Sequence, residues 1–173
     1  MTIRVGAYGL AHLPGFDHDV TAGEVTARKQ GIEIRVVSVD PNDLLPSQAP
    51  ADQQVEAAWA KYAAARGIET IKAAPVPEVM LRPNGMFTTL IYVADEGGKA
   101  RVGRFSLHRS NVGPALIIDS ATHHPDVDSV NDDAVAEAQV LGGAVENFLC
   151  VPGQSADPST DAYAISCDLE RSE

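Results

Sequence analysis

A chain of 173 residues with 45% hydrophobic residues is long enough to form one domain with a buried core, which excludes wholesale disorder. Aromatic residues make up only 5% of the chain, so we expect a mainly aliphatic core. The formal net charge of −11 disfavours direct nucleic-acid binding, because an acidic surface repels phosphate groups. The longest apolar run is far too short to span a bilayer, and we therefore expect no membrane association.

The N-terminal part of the chain predicts two strands. We predict a single domain over residues 1–173, with residues 1–50 as a possible N-terminal extension. Residues 3–9 predict a first strand, and residues 11–19 form a polar loop that a Pro-Gly pair interrupts. Residues 32–39 begin with alternating apolar and polar side chains, which is typical of a half-buried strand.

A first helix is predicted from residue 52 to residue 66. Asp52 is a favourable N-cap, and Gly67 stands where a helix commonly ends with positive φ. Trp59 and Tyr62 belong to an apolar stripe at helical spacing, and we interpret them as core residues facing the sheet. Stacking of Trp59 on a ligand is the alternative interpretation.

The strongest structural signal is a long β-hairpin over residues 87–108. Residues 87–93 are mostly β-branched or aromatic, and the returning strand alternates apolar with polar side chains. Residues 95–99 form a polar tip between the strands, and its residues Gly97 and Gly98 can adopt positive φ at little cost. We expect this tip to be exposed.

Further strands extend the hairpin into an antiparallel meander. Residues 79–82 lead into a tight-turn sequence at residues 83–85, directly before the hairpin. Residues 68–74 predict a short preceding strand, and residues 115–119 predict a fourth strand after the hairpin. A closing strand is predicted at residues 163–168.

A second helix is predicted over residues 131–150. Ser129 or Asn131 provides its N-cap, and its interior is rich in small and apolar residues. Gly142 and Gly143 weaken the helix centre, which indicates a kink or close packing there. Together the elements predict an α+β fold with a mainly antiparallel sheet and two principal helices packed on it.

Two short stretches contain residue types that suit a metal ion. One stretch holds His123, His124 and Asp126, and the other holds His12 and His18. Imidazole and carboxylate groups are ligands for Zn, Fe or Mn, but adjacent histidines reach one metal only from a loop. Both stretches are also compatible with ordinary solvated loops, because their spacing matches no established metal motif. The sequence therefore leaves open whether a metal is bound.

Other catalytic signals are weak. The chain contains no Gly-x-Ser-x-Gly motif and no P-loop lysine motif. We therefore predict no catalytic residue and no bound cofactor, and consider an enzymatic function uncertain and less favoured.

Residues 86–168 resemble small virion proteins of tailed phages. In that pattern a β-branched strand leads through a tip of the Asp-x-Gly-Lys type into a second strand, an Ala-rich helix and an extended tail. The corresponding parts are residues 89–93, 95–99, 104–107 and 134–148 and the strand from Tyr163. The resemblance implies a role in capsid decoration, in the tail or in a connector, and it implies no catalytic residues.

Two functions are weighed on these grounds. The first is a non-enzymatic, oligomeric assembly protein of the virion, whose partners are other protein chains and neither nucleic acid nor membrane. The alternative is a small, soluble, metal-dependent or acid–base enzyme that uses residues 12–19 and 119–128. The expected location is the virion for the first function and the cytoplasm otherwise.

Overall fold

The computed structural model describes residues 2–5, 8–11, 13–82, 85–110, 114–146 and 149–150. The predicted closing strand at residues 163–168 lies outside this part of the chain. The elements in chain order are β1 (Thr2–Val5), β2 (Tyr8–Ala11), β3 (Asp17–Val20), β4 (Glu24–Lys29), β5 (Ile32–Val39), α1 (Ala51–Ala65), β6 (Glu69–Pro75), β7 (Met80–Arg82), β8 (Gly85–Glu96), β9 (Lys99–Ser110), β10 (Ala115–His124), α2 (Asp132–Glu146) and β11 (Leu149–Cys150).

Antiparallel pairing organises the described strands into two sheets. The main sheet has eight strands, in the order β3-β4-β5-β10-β9-β8-β6, and β7 also pairs with β8. A smaller sheet has the order β1-β2-β11. The predicted α+β fold is confirmed, and so is the meander, because β7, β8, β9 and β10 pair in succession.

The two helices pack on opposite faces of the main sheet. Trp59 and Tyr62 of α1 are buried, and the Trp59 ring stacks on Tyr92 with centroids 4.0 Å apart. In β10, Ile117 belongs to the core under α1, whereas Ile118 belongs to the core that contains Val145 of α2. This alternation follows from the two-residue period of a strand. The burial of Trp59 and Tyr62 between α1 and the sheet confirms that both are core residues.

The hairpin tip has the predicted geometry. β8 and β9 are joined by Gly97 and Gly98, with φ of 64° and 86°, as a tight two-residue turn requires. These two glycines and Lys99 are exposed, whereas Asp95 and Glu96 are half-buried. The expectation of a fully exposed tip is therefore wrong for the last two residues of β8.

The helix ends agree only in part with the prediction. Gly67 follows α1 with φ of 65°, as expected, but Asp52 is not the N-cap. Pro50 occupies that position without a side-chain cap, and Asp52 lies inside the first turn, where its Oδ1 accepts a hydrogen bond from the Gln53 backbone. At α2 the predicted cap is confirmed, because Asn131 Oδ1 accepts from the Ala134 backbone N–H at 2.9 Å.

The second helix is shorter than predicted, and its centre packs closely against the main sheet. The helix ends at Glu146 instead of residue 150. A Cβ at Gly142 would collide with the side chain of Arg104 on β9, so this glycine allows close approach of helix and sheet. The predicted close packing is confirmed at Gly142.

The N-terminal prediction requires three corrections, and the first is that strand β4 (Glu24–Lys29) was not predicted. Residues 3–9 are not one strand, because β1 and β2 pair antiparallel with Val5 opposite Tyr8. The predicted loop over residues 11–19 includes the start of β3, an edge strand whose side chains are mostly exposed. An edge strand solvated on both faces shows no apolar alternation, which explains why the pattern concealed it.

Candidate functional site

A fully buried arginine occupies the α1 face of the main sheet. The side chain of Arg101 in β9 has 0% exposure, and four acceptors surround it. Its Nη2 donates to Asp119 Oδ2 at 2.7 Å, and its Nη1 donates to Glu33 Oε1 at 2.8 Å and to Glu96 Oε2 at 2.9 Å. Its Nε donates to the Tyr92 hydroxyl at 2.8 Å. We call Arg101 with these four residues the arginine cluster.

Strand register brings the arginine cluster together. Arg101 lies opposite His123 of β10, and Asp119 lies four residues before His123 on the same face. Glu33 comes from β5, the strand that pairs with β10 on the side away from β9. In this pairing Arg35 of β5 lies opposite Asp119, and Glu33 lies two residues before Arg35. Three consecutive strands, β8, β9 and β10, and the distant strand β5 therefore supply one site.

Two tyrosine hydroxyls bind the buried carboxylate of Asp119. Tyr62 of α1 donates to Asp119 Oδ2 at 2.8 Å, and Tyr92 donates to Asp119 Oδ1 at 2.6 Å. Burial, together with the negative charge of Asp119, raises the pKa of both tyrosines well above the ordinary value. Both hydroxyls thus remain neutral donors, and the hydroxyl of Tyr62 fixes α1 to the sheet through the buried carboxylate of Asp119.

The outer side of the arginine cluster is also paired. Arg35 Nη2 lies 2.7 Å from Glu33 Oε1 and 3.3 Å from Glu96 Oε1. Burial alone would raise the pKa of Glu33, but its hydrogen bond to Arg101 and the charges of Arg101 and Arg35 outweigh this and lower it. For Glu96, burial is likewise outweighed by Arg101, His123 and Arg35, and the pKa is lowered. Both carboxylates are therefore ionised at neutral pH.

A metal ion does not fit the arginine cluster. Ligand atoms of Glu33, Glu96 and His123 lie within 4.8 Å of one another, as a metal site would require. The Arg101 Nη1 atom already lies among them, 3.3 Å from His123 Nε2 and within hydrogen-bond distance of both glutamates. A metal ion would have to displace this buried positive charge, so the guanidinium takes the place of the cation.

The other predicted metal ligands do not converge. Within the described part of the chain, the group of possible ligands around His123 does not include His18, His124 or Asp126. His124 Nε2 lies 3.0 Å from Thr122 Oγ1, and Asp126 accepts a hydrogen bond from the Ser129 backbone. His123 and His124 also end strand β10 instead of forming a loop, so their side chains point to opposite faces.

The other two predicted metal ligands are His12 and His18, near the N-terminus. His18 Nε2 accepts a hydrogen bond from the Leu13 backbone N–H at 3.4 Å, and His12 lies outside the described residues. Of the arginine cluster, only Asp119 lies in a stretch singled out from the sequence as a candidate site, residues 119–128, and it was considered there as part of a metal site instead of as a partner of an arginine. The available signal was the position of Glu33, Arg101 and Asp119 within apolar strand segments, where a charge must be paired if it is buried.

A second feature lies at the opposite end of α1. β6 and β7 both pair with the same edge of β8, and the ladder is interrupted between Pro75, opposite Leu90, and Met80, opposite Phe87. Pro75 and Pro77 have no backbone N–H to donate, so the edge strand leaves the sheet here. A cleft of about 450 Å³ opens between this interruption and the first turns of α1.

We call this opening the edge cleft. Its lining residues are Ala51, Asp52, Val55, Glu56, Pro75, Val76, Pro77, Val79 and Thr88. Val55, Val76 and Val79 give it apolar walls, while Asp52 and Glu56 are exposed on the α1 side. The Thr88 hydroxyl is buried and has no hydrogen-bond partner in the described structure.

The outer margin of the edge cleft is apolar and exposed. Val79 lines the cleft and is 39% exposed, and Leu81, two residues further on the same face of the strand, is 77% exposed. We call Val79 and Leu81 the apolar rim. Exposed apolar side chains grouped beside an apolar cleft are typical of a surface that contacts another molecule.

Comparisons with known proteins identify the fold. No protein-family profile and no curated protein sequence matches the chain. Its structure is similar to the solution structure of cyanobacterial PsbP (CyanoP) from Synechocystis sp. PCC 6803, with a TM-score of 0.56 and 16% sequence identity. The similarity covers 84% of this chain and 86% of that chain, so the two share their fold over most of their length.

This similarity corrects the function predicted from the sequence. The predicted virion role is wrong, because the chain has the fold of a cyanobacterial PsbP protein, which is not a phage structural component. The expected virion location is wrong for the same reason, and the cytoplasmic alternative is not retained. None of the described helices is both long and apolar enough to cross a bilayer.

Proposed function

We propose that this chain is a protein-binding module that holds a segment of another protein in the edge cleft. The observation that carries this proposal is the apolar rim, in which Val79 lines the cleft and the exposed Leu81 lies beside it on the same face of the sheet. Burying such surface against a partner is favourable by roughly 25 cal/mol per Å². The partner is another protein chain, because a net charge of −11 opposes binding to nucleic acid.

The arginine cluster supports this function as a scaffold. The guanidinium of Arg101 pairs with each of the carboxylates of Asp119, Glu33 and Glu96, which leaves no charge of the cluster free for a ligand. The cluster holds α1 through the Tyr62 hydroxyl. A rigid α1 keeps the wall of the edge cleft in position, as a binding site requires.

The test starts from peptides selected on the full chain. Binders are recovered from a displayed library of random peptides, and their affinities are measured for the wild type and for Leu81→Lys. A lysine in an apolar contact would leave a charge to be desolvated, so we expect binding at least about tenfold weaker. Val140→Lys is the matched control, because Val140 is 73% exposed on α2, which packs on the other face.

Two results would overturn the proposal. One is that the selected peptides bind Leu81→Lys as tightly as the wild type, or lose equal affinity with Val140→Lys. The other is that the library yields no binder to the full chain. A selective loss with Leu81→Lys supports the edge cleft as the binding site.

A further inference from the structure

We infer that the segment bound at the edge cleft is basic as well as apolar: an extended peptide that inserts an apolar side chain and places an adjacent lysine or arginine beside α1. This inference rests on the proposed function and specifies the partner. It follows from three features of the cleft, which are its charge, its unpaired hydroxyl and the form of the sheet edge.

The edge cleft carries negative charge without a positive counterpart. Asp52 and Glu56 are one helical turn apart on α1, and both are exposed and line the cleft. Neither carboxylate forms an ion pair within the described structure, and no lysine or arginine lines the cleft. Asp52 also offsets the positive end of the helix dipole, so the site attracts a cation instead of an anion.

Thr88 adds an independent indication of a ligand. The residue is 4% exposed, and its hydroxyl meets no donor or acceptor in the described structure. A buried hydroxyl without a hydrogen bond is destabilising, and it can both donate and accept. A peptide that enters the cleft brings backbone N–H and C=O groups that satisfy this hydroxyl, which an entirely apolar ligand cannot do.

The sheet edge favours insertion of a side chain over addition of a strand. Pro75 and Pro77 remove backbone donors, and the register of β6 shifts between Thr70 and Lys72. Such features protect an edge from pairing with a further strand. The interruption at the same place creates the cleft, so the partner is recognised mainly through side chains and charge.

A second copy of this chain is a poor occupant. Each copy carries a net charge of −11, and an interface between two identical clefts would bring Asp52 and Glu56 near their own counterparts. Like charges opposed across an interface weaken association. A basic segment from another protein removes this repulsion and pairs the free carboxylates.

The experiment compares three synthetic peptides of about eight residues, long enough when extended to cross the cleft. They alternate valine with lysine, glutamate or serine, and their affinities for the full chain are measured by fluorescence anisotropy at low salt. Near the protein surface, the attraction of two carboxylates for one lysine should strengthen binding about tenfold. The Val–Lys peptide should therefore bind about tenfold more tightly than the Val–Ser peptide. The Val–Glu peptide should bind most weakly.

A matched pair of variants locates the charge effect. Asp52→Asn combined with Glu56→Gln should abolish the advantage of the Val–Lys peptide. The control is Asp133→Asn combined with Glu137→Gln, because these exposed residues are the second and sixth of α2, as Asp52 and Glu56 are of α1. Both double variants change the net charge equally, so the control should keep the full advantage.

The outcomes separate the inference from the proposed function. If all three peptides bind equally and lose affinity with Leu81→Lys, the cleft binds apolar segments and the basic specificity is wrong. Equal losses in both double variants show general attraction to an acidic surface, which overturns the inference. A concentration-dependent dimer that Leu81→Lys dissociates shows that the occupant is a second copy, and this also overturns it.

Discussion

The arginine cluster and the edge cleft lie on the same face of the main sheet, at opposite ends of α1, and differ in how their polar groups are satisfied. At the arginine cluster, Arg101 has 0% exposure and every charged partner is bound. At the edge cleft, no side chain in the described part of the chain bonds the Thr88 hydroxyl or pairs with the carboxylates of Asp52 and Glu56. Complete pairing makes one end of the helix a source of stability, and incomplete pairing leaves the other end able to bind.

Removing the central charge of the arginine cluster should have the largest effect. Arg101→Met leaves the buried carboxylates of Asp119 and Glu33 without their main partner, so we expect a loss of about 3–5 kcal/mol in the free energy of unfolding. Urea denaturation of wild type and variant measures this loss. Lys99→Met, at the exposed hairpin tip, is the control and should change stability by less than about 0.5 kcal/mol. Equal small effects would show that the cluster is not a stabilising scaffold.

Acid should remove the stabilisation that Glu33 and Glu96 contribute. The pKa values of Glu33 and Glu96 are lowered in the folded protein from the ordinary value of 4.5. Their stabilisation is therefore fully present above about pH 4.5 and is lost as pH falls through the lowered folded values. Urea midpoints measured from neutral to acidic pH should fall less steeply below pH 4.5 in the Glu33→Gln, Glu96→Gln double variant.

The control for acid sensitivity removes two exposed carboxylates, with Glu69→Gln and Glu78→Gln. This control should retain the steep loss of the wild type. An identical pH dependence in all three proteins would contradict the assigned role of Glu33 and Glu96.

The smallest expected effects are the changes in stability caused by substituting two neighbouring threonines, one with and one without a hydrogen-bond partner. Thr88 and Thr89 are both buried in β8, but the Thr88 hydroxyl is unpaired, whereas Thr89 Oγ1 lies 3.2 Å from Ser106 Oγ. Thr88→Val removes an unsatisfied group, so we expect unchanged or slightly higher stability, by up to about 1 kcal/mol. Thr89→Val breaks a hydrogen bond and should cost about 1 kcal/mol. Thermal unfolding measures both changes, and equal losses would show that Thr88 has a partner after all.

Local patterns predicted the hairpin and both helices because the required signals lie within a few residues. The glycines at 97 and 98 have the positive φ expected at the tip, and Asn131 caps α2 as expected. The edge strand β3 was missed, since its exposed side chains carry no apolar alternation. The first-strand prediction failed because two short paired strands have the same composition as one longer strand.

Sequence patterns could not predict the arginine cluster or the edge cleft, because both sites depend on how the strands pair. The histidine-rich stretches drew attention because metal-ligand residue types are close in sequence, yet only His123 joins a cluster of such side chains in the described structure. The arginine cluster combines Glu33, Arg101 and Asp119 from three strands, and their proximity depends on strand register. The edge cleft depends on where the ladder beside Thr88 is interrupted.

By itself, the sequence determined the α+β class, the meander and the two helices, because propensity, capping and turn chemistry act between neighbouring residues. Tertiary structure alone decided which face each helix covers and which charges meet. Arg101 can remain charged in the core only because the pairing of β5, β9 and β10 places Glu33 and Asp119 beside it. A buried charge is stable only where its partners are placed, and that placement is a property of the assembled sheet.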